Sequence, residues 1–227
     1  MERKINIITL GDVGVGKSSL INRIRDGSFS EKVQSTIGCQ NVFIKRPYKK
    51  KNMTILLNFL DTSGQETFQN ILPKQYIRDS HIVLLVFSDL ESLNNLIKRW
   101  TRFYKENCNL DDSKFILIGN KSDEFGDKRD QIRKNGNEFS QEMSALFLTC
   151  SAKSADNIDN LENFILTEAI RYIDEEDKKK EEAKKNNIVF ERTKSFNLEN
   201  KSKKKTDCSC NNKKKKFYLN LIKIRNF

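Results

Sequence analysis

The chain has 227 residues, 37% of them apolar and 32% charged, with a net charge of +11 and five cysteines. That is enough apolar material for one compact domain with an appendage, and too little cysteine for a disulfide-built scaffold. Met1 to Lys4 run straight into an apolar stretch without a leader-like segment, and the best apolar run, Ile82 to Phe87, is too short to span a bilayer, so a cytosolic chain is expected.

In chain order, the pattern predicts a strand over Lys4 to Leu10, a loop, and a helix over Lys17 to Arg25. The loop Gly11-Asp12-Val13-Gly14-Val15-Gly16-Lys17-Ser18 fits GxxxxGK[ST] at every fixed position. Its glycines let several N–H groups face one phosphate, Lys17 brings a cation to the outer phosphates, and Ser18 offers a hydroxyl to Mg²⁺. The helix that follows would set its positive dipole end beneath the same anion. Strands follow over Val42 to Arg46 and Met53 to Leu60, then a helix over Phe68 to Ile77. Between them lies Asp61-Thr62-Ser63-Gly64-Gln65-Glu66. An acid at a strand end can hold Mg²⁺, Gly64 allows its N–H to approach a terminal phosphate, and Gln65 can orient an attacking water; read alone, the stretch is equally an Asp-capped turn.

Next come a strand over Ile82 to Phe87, a helix over Leu90 to Asn107, and a strand over Phe115 to Gly119 that leads into Asn120-Lys121-Ser122-Asp123. A carboxylate that accepts two N–H groups selects guanine over adenine, and a lysine stem can cover the base. A helix over Lys128 to Met143, a strand over Ala145 to Thr149, the loop Cys150-Ser151-Ala152-Lys153 and a helix over Ile158 to Ile173, with Asp156 or Asn157 as its cap, complete the pattern. This alternation predicts a single α/β domain over residues 1–177, a mostly parallel six-stranded sheet with helices on both faces. Ligands in such sheets bind beyond the carboxyl ends of the strands, which is where the chemistry-bearing loops fall.

The charge is not evenly spread. Residues 178–227 hold 17 of the 42 Lys/Arg and 5 of the 31 Asp/Glu, so the tail carries about +12 and the remainder about −1. The lysine runs Lys203 to Lys205 and Lys213 to Lys216 lack the interleaved aromatics of a base-stacking surface, which argues against nucleic acid and for an anionic membrane surface, with a merely solvated, disordered tail as the alternative. Cys39, Cys108 and Cys150 stand singly and are expected as reduced thiols. Cys208 and Cys210 are one residue apart, but zinc would want wider spacing and a second pair, and His81 is the sole histidine.

Taken together, GDVGVGKSS, DTSGQE, NKSD and SAK resemble, in order and spacing, the small GTPases of the Ras superfamily, and most closely the Rab branch. Asp26-Gly27-Ser28-Phe29-Ser30 with Ser35-Thr36-Ile37-Gly38 resembles the Rab first switch, and Tyr76-Ile77-Arg78-Asp79-Ser80 its YYRGA segment; the likeness covers residues 3 to about 175. The resemblance implies a GTP/GDP site in which Gly11, Asp12, Val13, Gly14, Val15, Gly16, Lys17, Ser18 and Ser19 wrap the phosphates. Ser18, Thr36 and Asp61 would hold Mg²⁺, Thr36 and Gly64 would sense the γ-phosphate, and Gln65 would be the catalytic residue. Phe29, Asn120, Lys121, Asp123, Ser151, Ala152 and Lys153 would enclose the guanine, with the Ala152 N–H meeting its oxygen. It further implies a monomer served by effectors, an exchange factor and a GTPase-activating protein, at the cytosolic face of an intracellular membrane in vesicle traffic. A P-loop ATPase or kinase is disfavoured by Asp123. A GTP-binding switch with little hydrolysis, or a divergent non-Rab member, is the alternative.

Departures from the pattern carry information. Val13 stands where Ras has glycine and Rabs commonly serine, which implies crowding of Gln65 and weak hydrolysis; Ser63 replaces the usual alanine, IGCQN the Rab IGVDF, and Leu60 the usual tryptophan. Residues 178–210 resemble a Rab hypervariable linker ending in a CxC prenylation signal at Cys208 and Cys210, followed by a Lys/Asn-rich extension, 211–227. Apart from Arg225, every residue of that extension can be encoded with A and T alone, which suggests read-through into noncoding sequence. The rival is a genuine tail whose Leu219, Leu221, Ile222 and Phe227 contact membrane or the globule.

Overall fold

In a computed structural model, residues 2–31, 36, 38–63, 79–100 and 114–203 are described, with backbone alone for residues 100 and 186–203. The expected helix over Phe68 to Ile77, Gly64, Gln65, Cys108, Cys208 and Cys210 lie outside the described residues. Contacts divide the chain into a unit over Met1–Glu175 and a second over Glu176–Phe227.

The first unit is built on strands β1 (Glu2–Leu10), β2 (Cys39–Tyr48), β3 (Met53–Thr62), β4 (Ile82–Phe87), β5 (Lys114–Gly119) and β6 (Leu146–Thr149). They lie in the order β2-β3-β1-β4-β5-β6, and only the β2–β3 hairpin pairs antiparallel. The described helices are α1 (Lys17–Asp26), α2 (Leu90–Asn95), α3 (Arg129–Glu142) and α4 (Ile158–Lys203). This is the expected single α/β domain with a mostly parallel six-stranded sheet.

Period-two alternation divides the core. Ile5 and Ile7 of β1, Leu57 and Phe59 of β3, and Leu84 and Val86 of β4 join Leu20, Ile21 and Ile24 of α1 and Leu161, Ile165 and Ile173 of α4. The alternate residues Ile8, Leu10, Val83, Leu85 and Phe87 pack with Leu93 of α2 and with Ile132 and Phe139 of α3. A strand buried on both faces has no polar side to show, which is why β4 reads as the unbroken run Ile82 to Phe87. Among the described residues no helix is long and apolar enough to cross a membrane.

Several boundaries differ from the sequence reading. β2 extends beyond Val42 to Arg46 at both ends, because pairing of Cys39 with Thr62 and of Tyr48 with Met53 carries the ladder through polar residues. Pro47 is tolerated because β2 is an edge strand. α2 passes at Leu96 into a π-helical turn over Leu96–Trp100, and the rest of the expected helix, 101–107, is outside the described residues. α3 begins one residue after Lys128 and ends one before Met143. Asn157 does not send its side chain to a helix amide: its Nδ2 donates to Thr149 O at 2.7 Å, and its Oδ1 accepts from Asn160 at 2.6 Å. α4 passes Ile173 and continues to Lys203. Residues 174–185 consist wholly of Asp, Glu, Lys and Ala, mostly good helix formers, and pairs such as Glu176 with Lys180, 3.2 Å apart, support them one turn apart.

Candidate functional site

The carboxyl ends of β1, β3, β5 and β6 open on one cleft of about 430 Å³. β1 lies at its centre because β3 and β4 flank it on opposite sides, so the loop leaving Leu10 meets open space where the chain crosses to the other side of the sheet. Two glycines in that loop are required by geometry. At Gly11, φ is +148° and a Cβ would lie 2.1 Å from Val86 O; at Gly16, φ is +92° and a Cβ would lie 2.3 Å from Asn120 Nδ2.

Lys17 is 4% exposed, and its Nζ donates to Gly11 O at 3.0 Å and Asp12 O at 2.8 Å. The loop is thus closed on its own cation. Burial lowers the Lys17 pKa to about 8, with Asp61 and Asp12 pulling it back up. Asp12 is held from outside the loop by Asn95 of α2, whose Nδ2 donates to Oδ2 at 2.8 Å. Val13, by contrast, is half exposed and lines the cleft.

At the same end three oxygen-bearing side chains converge. Ser18 Oγ and Thr36 Oγ1 are 2.8 Å apart, and Thr36 Oγ1 donates to Asp61 Oδ2 at 3.5 Å. Asp61 is 4% exposed and its Oδ1 has no hydrogen-bond partner. Burial raises the Asp61 pKa, while hydrogen bonding from Ser18, the Lys17 charge and Thr36 act the other way. A buried carboxylate with an unsatisfied oxygen beside two hydroxyls is a hard-oxygen donor set of the kind Mg²⁺ prefers, so the residues expected to hold that ion fit it.

The other end of the cleft is assembled by Asn120, which is 1% exposed. Its Nδ2 donates to Val15 O at 2.8 Å and its Oδ1 accepts from Ala152 N at 3.2 Å, so one amide fastens the loop after β5 to the loops after β1 and β6. The Ala152 N–H, assigned to a guanine oxygen by the resemblance, here donates to Asn120. Lys121 adopts a left-handed backbone, φ 60°, and Ser122 N donates to Cys150 O at 3.0 Å. Those turns set Lys121 and Asp123 at the cleft wall, which Phe29 and Lys153 also line.

Of the expected site residues, Val13, Gly14, Gly16, Lys17, Ser18, Ser19, Phe29, Thr36, Asn120, Lys121, Asp123, Ala152 and Lys153 line the cleft. Gly11, Asp12, Val15 and Ser151 stand behind the lining, and Asp61 sits beneath it beside Thr36. The cleft also takes in Ser30, Glu31, Thr62, Ser63 and Glu124, which the sequence reading did not assign to it. Glu31 pairs there with Lys153, 3.0 Å apart across more than a hundred residues, a contact for which a single sequence carries no signal. Thr62 could have been found, because it directly follows Asp61.

A glycine loop closed on a buried lysine, with hydroxyls and a buried acid at one end and an amide-braced pocket at the other, defines a P-loop nucleotide-binding domain. The family model described as Ras family matches residues 6–172, nearly the whole first unit. The chain belongs to the Ras family, the small GTPases that switch between GTP- and GDP-bound states with Mg²⁺ and hydrolyse the one to the other.

Proposed function

We propose that the protein is a Rab-like GTPase, a GTP/GDP-controlled switch that recruits effectors to the cytosolic face of an intracellular membrane in vesicle traffic. The observation that carries this reading is the meeting of the GDVGVGKSS, DTSGQE, NKSD and SAK segments at one cleft, as far as Ser63 in the second of them. The Rab assignment itself rests on the first-switch spelling and the Cys208-Ser209-Cys210 tail.

In this reading the backbone amides from Val13 to Ser18 and the Lys17 ammonium grip the phosphates, and Asp123 selects guanine by accepting from its N–H edge. Ser18, Thr36 and Asp61 would hold Mg²⁺, which when bound would supply neutralising charge to the phosphates. Gln65 orients a water for attack on the γ-phosphorus, and the bond to the β-bridging oxygen breaks to leave GDP and phosphate. Loss of the γ-phosphate releases Thr36 and Gly64, which is how hydrolysis is passed to partners.

A second reading, a switch that binds GTP and hardly hydrolyses it, is favoured by Val13, half exposed at the phosphate end of the cleft. Single-turnover GTP cleavage in wild type, Val13→Ser and Gln65→Leu separates the two. Under the first reading wild type exceeds Gln65→Leu clearly; under the second they match and Val13→Ser is faster than both. The recruiting role is tested by capture from cytosol with GTP-loaded against GDP-loaded protein, where equal capture by both would end it.

A further inference from the structure

Arg23, on the last turn of α1, makes contacts that none of the roles above requires. Its Nε donates to Ala152 O at 2.7 Å and its Nη2 to Lys153 O at 2.9 Å, while Nη1 donates to Gly27 O just past the helix end. The guanidinium carbon also lies 5.8 Å from the centre of the Phe29 ring. One planar group therefore joins α1, the segment leading to Phe29, and the loop after β6. The same two loops both line the cleft, Phe29, Ser30 and Glu31 from one and Ala152 and Lys153 from the other. The Glu31–Lys153 ion pair closes the same gap, but with both side chains more than half exposed it contributes little by itself.

We infer that Arg23 is a positioning residue that clamps the two walls of the base pocket together and thereby sets how slowly bound nucleotide leaves. The inference rests on the reading of this cleft as a guanine-nucleotide site. A base sandwiched between two irregular loops can escape only when one of them swings outward. Outward movement of the loop after β6 must break the bonds to Ala152 O and Lys153 O, and movement of the Phe29 segment must break the bond to Gly27 O and the ring contact. The rigid fork of a guanidinium reaches all three carbonyls at once, which the single ammonium of a lysine cannot. Arg23 has no contact with Val13, Lys17, Thr36 or Asp61 among the described interactions, so the phosphate end should not sense its loss.

The test follows dissociation of a fluorescent GDP analogue, in Mg²⁺ and excess unlabelled GDP, from full-length wild type, Arg23→Ala and Arg23→Lys. Alongside it run single-turnover cleavage of prebound GTP and the thermal midpoint in saturating GDP. Loss of charge-assisted hydrogen bonds of this kind should speed release by roughly 10- to 100-fold in Arg23→Ala, with Arg23→Lys in between. Cleavage of prebound GTP should stay within about twofold of wild type, because Arg23 touches none of Val13, Lys17, Thr36 or Asp61 among the described interactions. Release at the wild-type rate from both variants overturns the inference, as does faster release matched by an equal loss of cleavage, which marks general loosening. If Arg23→Ala does not fold, Arg23→Lys alone decides between these outcomes. Wild type that retains no guanine nucleotide removes the underlying reading and the inference with it, a result distinguishable from normal retention by all three proteins.

Discussion

Replacing Asn120 with alanine should damage the fold as well as the ligand site, because its side chain is a structural tie before any nucleotide arrives. The amide is 1% exposed and makes two buried bonds, to Val15 O at 2.8 Å and from Ala152 N at 3.2 Å. Truncation leaves a backbone carbonyl and a backbone N–H without partners, each at about 1–3 kcal/mol. Some relaxation is available, so a net loss of about 2–4 kcal/mol is expected, with a fall in thermal midpoint of roughly 4–16 °C for a domain of this size. Urea unfolding of Asn120→Ala and wild type, both stripped of nucleotide with a chelator, measures the loss without any ligand contribution. Gly16→Ala should reproduce much of it, since the added Cβ would lie 2.3 Å from the same Nδ2. An Asn120→Ala protein within about 0.5 kcal/mol of wild type would refute the reasoning, because surface substitutions move stability by that much.

Gly11→Ala should be worse tolerated than Gly14→Ala: both have positive φ, but only Gly11 faces a backbone oxygen, with Val86 O 2.1 Å from the added Cβ, and comparison of their soluble yields and midpoints checks this. Cys39 should alkylate long before Cys150, since Cys39 is exposed while Cys150 is buried with its pKa pushed to about 12, by burial first and the Asp156 charge second; peptide mapping reads the order. The same shift predicts a pH effect of definite sign. The thiol titrates near 9.0 when unfolded and near 12 when folded, so its stabilising share is whole below pH 9 and is lost as pH rises towards 12. Wild type should therefore lose up to about 1.4 kcal/mol per pH unit more than Cys150→Ala across that window, and parallel curves would contradict it. The basic tail should bind vesicles rich in phosphatidylserine at low salt, and neutral vesicles or high salt should abolish it; binding insensitive to both would remove the electrostatic reading.

What the sequence disclosed and what it hid follow from the range of the interactions involved. β1, the glycine loop and α1 were legible because each is written locally: an apolar run, fixed glycines, then apolar residues at helical spacing. Ser18 and Asp61 could be assigned to one site 43 residues apart only through a resemblance, and their meeting beside Thr36 depends on β1 pairing with β3. The ends of β2 were misjudged because Gln40 and Asn41 have no strand preference of their own and are held by β3. Asn157 illustrates the same limit: a good cap residue by type, it is drawn away by Thr149 O. Arg23 drew no role from the sequence, because nothing near it in the chain announces the carbonyls of Ala152 and Lys153.

The cleft of a Ras-family chain should hold a guanine nucleotide through Mg²⁺ and refuse adenine. Equilibrium titration of the purified, nucleotide-stripped protein with GDP and ADP, each with Mg²⁺ and with a chelator, tests that most directly. Tight GDP binding that collapses when the metal is removed, with ADP weaker by orders of magnitude, is the predicted result. Equal binding of ADP, or GDP affinity indifferent to the metal, would contradict it.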